Sequence, residues 1–252
     1  MKLVRFLKDG IVNYGELKEK ENEIHIVEGS FELGFSPTGA IVNSKDIKLI
    51  NPVAPSKAVC VGLNYLDHIM ESKEEPPKSP VIFMKPSTSV IGPDDVIKYP
   101  EMSSRVDYEG ELAVVIGKKA SKVSESEAFD YIFGYTCAND VTARDLQPTY
   151  GQWTIAKGFD TFLPLGPCIA TDIEADQLAI TVMLNGNLVQ NSNTKFLLFK
   201  IPMLVSYLSH IMTLLPGDVI LTGTSSGVGP MTKGDQIIVE IEKIGKLTNV
   251  VG

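Results

Sequence analysis

The chain has 252 residues, of which 44% are hydrophobic and 21% are charged, a composition that excludes disordered and collagen-like architectures. Lysine and arginine total 23 against 31 aspartates and glutamates, and the resulting net charge of −8 argues against nucleic acid as a partner. Nucleic-acid binding depends on neutralising phosphates. Small anionic substrates stay open, because a bound metal and a few local cations reverse the sign of a pocket.

The cysteines and the chain start indicate the compartment. Cys60, Cys137 and Cys168 are widely spaced and form no CxxC pair, which argues against a disulfide scaffold and a thiolate zinc site. The sequence begins MKLVRF without an apolar leader, and no apolar run approaches the roughly 18 residues of a membrane span. We therefore expect a cytoplasmic protein with no membrane partner.

Short β-rich runs open the chain and predict a small antiparallel unit. The runs are Lys2–Phe6, Ile11–Leu17 and Glu23–Val27, separated by Gly and Asn. The segment Asn51–Pro55 contains two prolines, which favour extended backbone. We place the domain boundary there, with a small N-terminal β domain over residues 1–55 and a catalytic domain over residues 56–252.

The rest of the chain predicts more strands than helices. Strands are predicted at Lys57–Val61, Val81–Met84, Val96–Tyr99, Tyr108–Gly117, Tyr131–Asn139, Leu178–Leu184, Val219–Thr222 and Gln236–Ile244. Helices are predicted from about Leu66 to Lys73, after Ser124, and from Pro202 to about Met212. The helices do not alternate with strands as βαβ units require, so the predicted class is α+β, mostly β.

Glu109 and Glu111 are the first candidates for chemistry. Residues two apart on a strand point to one face, so both carboxylates are predicted to lie opposite Leu112, Val114 and Ile116. Two carboxylates on one face repel each other unless a cation lies between them. The alternative is a half-exposed strand with solvated glutamates, and this segment alone favours that alternative.

Asp140 follows the strand predicted at Tyr131–Asn139, where side chains are often presented to a cleft. A third carboxylate there would complete the all-oxygen site that Mg²⁺ or Mn²⁺ prefers, with Ca²⁺ as a further candidate. On its own, an Asn-Asp pair is more typical of a turn that caps a strand. Taken with Glu109 and Glu111, it favours a metal site.

His68 and Glu71 lie three residues apart on a predicted short helix and therefore share a face. A carboxylate beside an imidazole fixes its tautomer and raises its basicity, as a water-activating base requires. The alternative is a surface helix on which His68 is merely solvated, and that is the commoner outcome for an isolated HxxE.

Two later segments add polar candidates. A Lys-Gly break between the aromatic residues Trp153 and Phe159 would place Lys157 against an anionic substrate. The glycine-rich stretch Leu221–Pro230 lacks the lysine and the helix of a phosphate loop. Its expected use is therefore to supply backbone donors and the Thr224 hydroxyl.

Six motifs together resemble the fumarylacetoacetate hydrolase family. They occur in the family's order and cover nearly everything after residue 57: VGLNYLDH (61–68), FMKPSTSVIGP (83–93), DYEGELAVVIGK (107–118), GYTCANDVTARD (134–145), AKGFDTFLPLGP (156–167) and LLPGDVILTGTSSGVGP (214–230). The resemblance implies a rolled, β-barrel-like mixed sheet, a homodimer, and one divalent metal ion, Mg²⁺ or Mn²⁺. It implies that this ion is held by Glu109, Glu111 and Asp140.

The same resemblance assigns the substrate side of the site. Lys157 falls on the family's lysine beside substrate and metal, Thr224 falls on its substrate-contacting threonine, and Arg144 is predicted as a further substrate contact. His68 and Glu71 match the catalytic dyad of the hydrolase and decarboxylase members. Isomerase-like members can lack that dyad, so its presence favours cleavage of a C–C bond.

The chain differs from fumarylacetoacetate hydrolase itself, and the difference indicates which members of the family it resembles most. Fumarylacetoacetate hydrolase proper carries a metal-binding aspartate near the position of Asn64, and it is much longer than this chain. The chain therefore resembles the smaller branch that contains acylpyruvases and 2-hydroxyhepta-2,4-diene-1,7-dioate isomerases.

The reaction expected from these residues uses a metal-stabilised enolate of a 2-oxo or 2,4-dioxo acid. C–C hydrolysis and decarboxylation, as of oxaloacetate, both pass through it. The alternatives left open are a 2-hydroxyhepta-2,4-diene-1,7-dioate isomerase, an oxaloacetate tautomerase, a sugar-acid dehydratase, and a non-catalytic protein whose acidic cluster holds an ion for structure. The sequence does not choose among them.

Overall fold

The computed structural model describes residues 1–72, 75–148 and 151–252. Those residues form twenty strands, three α-helices and five 3₁₀ helices, so the α+β, mostly β class is confirmed. No helix within them is long and apolar enough to cross a bilayer.

The elements have the following bounds. The strands are β1 Lys2–Lys8, β2 Ile11–Lys18, β3 Glu23–Ser30, β4 Gly34–Asn43, β5 Lys48–Ile50, β6 Ala58–Gly62, β7 Val81–Lys85, β8 Val90–Ile91, β9 Val96–Ile97, β10 Val106–Tyr108, β11 Gly110–Ile116, β12 Ile132–Asn139, β13 Thr142–Ala143, β14 Leu163–Ala170, β15 Ala179–Leu184, β16 Asn187–Asn193, β17 Val219–Thr224, β18 Gly229–Met231, β19 Gln236–Ile241 and β20 Gly245–Val251. The α-helices are α1 Leu66–Ser72, α2 Thr154–Lys157 and α3 Ile201–Ile211. The 3₁₀ helices lie at Ser44–Asp46, Ser87–Ser89, Glu125–Tyr131, Arg144–Leu146 and Thr194–Phe196.

Three sheets make up the fold. The largest has twelve strands in the order β4-β3-β2-β1-β14-β12-β11-β17-β6-β7, with β5 beside β1 and β8 beside β14. A three-stranded sheet has the order β13-β10-β18, and a five-stranded sheet has the order β16-β15-β19-β20-β9. The pairs β17–β6, β14–β8 and β20–β9 are parallel, so the prediction of mixed sheets is confirmed. No sheet built from the described residues closes into a barrel.

The N-terminal strands extend the largest sheet. Strand β1 pairs with β14 through Lys2↔Ala170 and Leu3↔Ile169, which joins the antiparallel strands β1–β4 to the rest of the sheet. Leu3 and Phe6 are completely buried. The division of the chain at residue 55 stays a prediction.

The strand predicted over Tyr108–Gly117 is confirmed over Gly110–Ile116, but it is not continuous, because the chain changes sheets at Glu109. Strand β10 pairs with β13 and β18, whereas β11 pairs with β12 and β17. Glu109 lies between β10 and β11 and belongs to neither. The residue that the motif singles out therefore occupies a junction between two sheets.

Strand β11 is covered on both faces. Leu112 and Val114 belong to one hydrophobic cluster, and Ala113 and Val115 belong to a second cluster on the opposite face. All seven residues of the strand are buried. The half-exposed strand with solvated glutamates is therefore excluded, and Glu111 is a carboxylate buried in the core of the sheet.

Two other predicted strands differ from the structure, and one predicted helix end lies outside the residues that it describes. The strand predicted over Gln236–Ile244 ends at Ile241 as β19, and the chain then turns into β20, because Lys243 and Gly245 have positive φ. The predicted strand Val96–Tyr99 is only the two-residue β9. The predicted end of the first helix, Lys73, lies outside the described residues.

Candidate active site

The three predicted carboxylates meet where two paired strands end. Gly110 of β11 pairs with Asn139 of β12, so Glu109 and Asp140, the next residue on each side, face each other. Asp140 N donates to the Glu109 carbonyl at 2.8 Å, and Glu109 N donates to Asn139 Oδ1 at 2.9 Å. One ligand atom each from Glu109, Glu111 and Asp140 lies within 4.8 Å of the others. The sequence prediction of one cluster is therefore matched by the geometry.

Cationic side chains hold two of these carboxylates. Lys157 Nζ, at the end of α2, donates to Glu109 Oε2 at 2.8 Å and to Asp140 Oδ2 at 2.7 Å. The buried Lys85 Nζ donates to Asp140, and to the Val141 carbonyl at 2.8 Å. The Arg144 guanidinium donates to Glu109.

These contacts give the two glutamates opposite pKa shifts. Burial opposes ionisation of Glu109, but the positive charges of Lys157 and Arg144 outweigh it and hold the pKa of Glu109 below its usual range. Burial raises the pKa of Glu111 well above its usual range, and the negative charges of Asp140 and Glu109 raise it further. Glu111 is therefore the carboxylate that lacks compensating positive charge.

The surroundings of Glu111 fit a divalent cation. Its Oε2 accepts a hydrogen bond from Gly223 N at 2.6 Å, and no lysine, arginine or histidine among the described residues forms an ion pair with it. Gly223 has φ +100°, and a Cβ there would lie 2.7 Å from Asn64 Cβ, so glycine is required for this donor to reach Glu111. The cluster therefore offers three buried carboxylates, and one of them, Glu111, has no cationic side chain beside it. Such an oxygen-rich set of donors is what Mg²⁺ and Mn²⁺ prefer.

All eight predicted site residues line one cavity of about 350 Å³. They are His68, Glu71, Glu109, Glu111, Asp140, Arg144, Lys157 and Thr224. Phe83 and Trp153, whose ring centroids lie 5.3 Å apart, form part of its wall. All eight side chains could therefore act on one substrate bound in this cavity.

The histidine pair reaches the cavity from α1. His68 Nδ1 lies 3.5 Å from Glu71 Oε2, and the side chain of His68 is only 14% exposed. Both oxygens of Glu71 accept from Gly227 N at 3.1 Å, and Ser226 Oγ donates to Asp67 at 3.0 Å. These contacts join α1 to the glycine-rich segment after β17, so His68 is held in the wall of the cavity that the acidic cluster also lines, and it is not merely solvated.

Two other predictions have specific outcomes. Thr224 lines the cavity, but its hydroxyl already donates to the Gly110 carbonyl at 3.0 Å, so its role toward a substrate stays a prediction. Asn64 is fully buried and donates to the carbonyls of Thr222 and Phe199 at 2.7 and 3.1 Å. Its amide therefore joins backbone segments, and we assign it no ion.

Sequence reasoning missed several side chains that organise the site. Lys85 and Asp107 lie inside quoted motifs, but only their contacts reveal their importance: Lys85 pairs with Asp140, and the buried Asp107 pairs with Arg105 and Arg144. Gln190, on the distant strand β16, gave no sequence signal, because a lone glutamine in a hairpin has many ordinary uses.

Gln190 ties the two cavity-lining segments together. Its Oε1 accepts from Gly110 N at 3.0 Å, and its Nε2 donates to Thr224 Oγ1 at 2.9 Å and to the Ser225 carbonyl at 2.8 Å. The side chain is 2% exposed, so none of these groups would gain water if the amide were removed.

Replacing Gln190 with methionine should lower the free energy of unfolding by about 2–4 kcal/mol, because buried donors and acceptors lose their partners. Urea denaturation monitored by circular dichroism measures the change. The exposed Gln236, changed to methionine, is the matched control and should shift stability by less than about 0.5 kcal/mol. Equal losses in the two variants would contradict the structural role of Gln190.

Comparison with known proteins places this geometry in a family. Residues 57–252 match the family described as fumarylacetoacetate (FAA) hydrolase, C-terminal. The chain belongs to the fumarylacetoacetate hydrolase family. Residues 1–52 match a second family, described as Rv2993c-like, N-terminal.

Relatives in this family have different reactions in their names. Oxaloacetate tautomerase fahd2 of Xenopus laevis is 45% identical over 84% of this chain and 70% of its own length. The solved structure of 5-carboxymethyl-2-hydroxymuconate delta-isomerase from Mycobacterium smegmatis is 41% identical, with a TM-score of 0.93, and the match covers 100% of this chain and 99% of that chain. Fumarylpyruvate hydrolase from Pseudomonas aeruginosa, solved with Mn²⁺ and pyruvate, is 32% identical, with a TM-score of 0.73, over 80% of this chain and 90% of that one.

Proposed function

We propose that the protein is a divalent-metal-dependent enzyme that moves a proton at C3 of a 2-oxo acid and so interconverts its keto and enol forms. The observation that carries the proposal is the single cavity in which three buried carboxylates face a histidine–glutamate pair. The tautomerase and isomerase among the relatives support this choice, because they are more similar to the chain than the fumarylpyruvate hydrolase is.

The acidic cluster is the part of the cavity that would hold the ion. Glu109, Glu111 and Asp140 would bind Mg²⁺ or Mn²⁺, which as a Lewis acid would stabilise the negative charge of an enolate oxygen. Lys157 keeps one N–H donor after its bonds to Glu109 and Asp140. That donor would bind the substrate carboxylate and neutralise part of its charge.

The proton transfer is assigned to His68. Glu71 lies at Nδ1, so Nε2 is the nitrogen left to accept the proton from C3 and to return it. The Glu71 carboxylate would stabilise the imidazolium formed in between, and its two bonds from Gly227 N keep it in place. General-base catalysis of this kind contributes about 10²–10⁴-fold to a rate.

Cleavage of the C3–C4 bond of an acylpyruvate is the second candidate. The same His68–Glu71 pair would deprotonate a water molecule that attacks the distal carbonyl, and decarboxylation of oxaloacetate would use the same enolate. The similarity to fumarylpyruvate hydrolase favours this candidate, because that enzyme was solved with pyruvate and Mn²⁺. Both reactions would require the carboxylate cluster, and they differ in how the enolate would form: by loss of a proton from C3, or by breaking of the C3–C4 bond.

Removing the metal and restoring it, with a panel of substrates, tests the proposal. After chelation, the protein should no longer accelerate ketonisation of enol-oxaloacetate, followed by the loss of its ultraviolet absorbance, and Mg²⁺ or Mn²⁺ should restore the rate. Release of pyruvate from an acylpyruvate would favour the second candidate instead. If chelation lowers the melting temperature while no 2-oxo acid in the panel reacts, the ion is structural and the proposal is wrong.

A further inference from the structure

The cationic side chains around the cavity differ in how many of their hydrogen-bond donors already have a partner. Arg144 donates from all three guanidinium nitrogens: Nε to Asp107 at 2.8 Å, Nη1 to Gln147 at 2.5 Å, and Nη2 to Glu109. Lys157 is occupied by Glu109 and Asp140. The existing contacts therefore consume most of the positive charge deep in the cavity.

Arg105 donates hydrogen bonds from only two of its three guanidinium nitrogens within the described residues. Its Nε and Nη2 donate to the two oxygens of Asp107 at 2.9 and 3.2 Å, and Nη1 has no hydrogen-bond partner among residues 1–72, 75–148 and 151–252. Both N–H donors of Nη1 are therefore available to a ligand. The Arg105 side chain is 51% exposed, against 27% for Arg144 and 2% for Lys157, so Arg105 lies at the mouth of the cavity that it lines.

The ion-paired groups around the cavity include one more cation than carboxylate. Four cationic side chains contact only three carboxylates within the described chain, and the cations are Lys85, Arg105, Arg144 and Lys157. Asp107, which is completely buried, is shared by Arg105 and Arg144. Lys85 and Arg105 stand at the two ends of this line of ion pairs, and each has a single carboxylate that it shares with another cation. The Lys85 side chain is completely buried, so Arg105 is the end that a ligand can reach.

We propose that Arg105 is a specificity-determining residue that binds a second acidic group of the substrate through Nη1. The protein would then prefer 2-oxo dicarboxylic acids to 2-oxo monocarboxylic acids. This inference rests on the proposed function, which assigns the 2-oxo acid group to the buried acidic cluster of the same cavity. A planar guanidinium already fixed by Asp107 loses little freedom when it binds a carboxylate.

A matched pair of acids tests the preference by binding alone. 2-Oxopentanedioate and 2-oxopentanoate have the same chain length and differ only in the distal carboxylate. Calorimetry with the Mg²⁺-loaded protein should give at least about 10-fold tighter binding of the dicarboxylic acid, as a charge-assisted hydrogen bond to an arginine would supply. Arg105→Gln should weaken the binding of 2-oxopentanedioate by about 10- to 100-fold and that of 2-oxopentanoate by less than about twofold.

Two further variants separate charge from structure. Arg105→Lys keeps the charge without the planar fork and should retain part of the preference; it also serves if Arg105→Gln does not fold. The exposed Lys8, changed to glutamine, removes one positive charge elsewhere and should leave both affinities unchanged.

The outcomes that would contradict the specificity role of Arg105 differ from the outcome that would contradict the proposed function. An unchanged preference in Arg105→Gln, or an equal loss of affinity for both acids, would remove the specificity role and leave the proposed function standing. If the unmodified, Mg²⁺-loaded protein binds neither acid, the proposed function itself fails.

Discussion

Changing Glu111 to glutamine should abolish metal-dependent turnover and lower Mn²⁺ affinity by at least about 100-fold, because it removes the one cluster carboxylate without a cationic partner. Glutamine keeps an oxygen that can accept the hydrogen bond from Gly223 N. The fold should therefore persist. Calorimetric titration with Mn²⁺ and the enol-oxaloacetate assay measure the two effects.

In the metal-free protein, the same substitution should raise the thermal stability. The pKa of Glu111 is raised in the folded state, so between the unfolded and folded pKa values the folded chain binds more protons than the unfolded chain. Metal-free stability contributed by this group therefore falls as the pH rises through that interval. At pH 7, without metal, Glu111→Gln should melt at a higher temperature than the unmodified protein.

A buried carboxylate outside the cluster provides the control. Asp218 is completely buried and pairs with Lys57. Asp218→Asn should lose stability but keep Mn²⁺ binding. Unchanged Mn²⁺ affinity in Glu111→Gln, or an equal loss in Asp218→Asn, would contradict the assignment of Glu111 as a ligand.

Changing His68 to alanine should reduce proton transfer by about 10²–10⁴-fold while Mn²⁺ binding is retained, since His68 is assigned to the substrate and not to the ion. Stopped-flow rates of ketonisation with saturating Mg²⁺ measure the loss. The exposed His210, whose Nδ1 lies 2.9 Å from the Ser206 carbonyl in α3, is the matched control and should tolerate alanine. A His68→Ala rate within twofold of the unmodified protein would rule out the histidine as the base.

The mostly β class and the residues that line the cavity could be predicted from the sequence, whereas the pairing of distant strands could not. Strand spacing singled out Glu109 and Glu111, and its place after a predicted strand singled out Asp140. The family resemblance assigned all three to one metal ion and placed Lys157 and the other predicted residues around them. Each of these arguments is local in the chain. The residues that organise the site through long-range contacts, above all Gln190, which is separated from Gly110 by 80 positions, carried no such local signal.

The features of the fold that sequence reasoning missed have three separate physical causes. Strand β14 joins the N-terminal strands to β12, but it contains Pro164 and Pro167, which argue against a central strand. Strand β4 has six consecutive exposed residues and therefore no alternating pattern. The interruption at Glu109 depends on which strands pair with β10 and β11, and pairing between distant strands is not encoded in a local pattern.

The homodimer that the family resemblance implies stays a prediction.

Crystals grown with MnCl₂ test the central claim most directly, through the anomalous difference map of the manganese. We predict one peak inside the cavity, within bonding distance of one oxygen each from Glu109, Glu111 and Asp140. A map with no peak there, or with manganese bound only at other carboxylates while Glu109 and Asp140 remain paired with lysine and arginine, would contradict it.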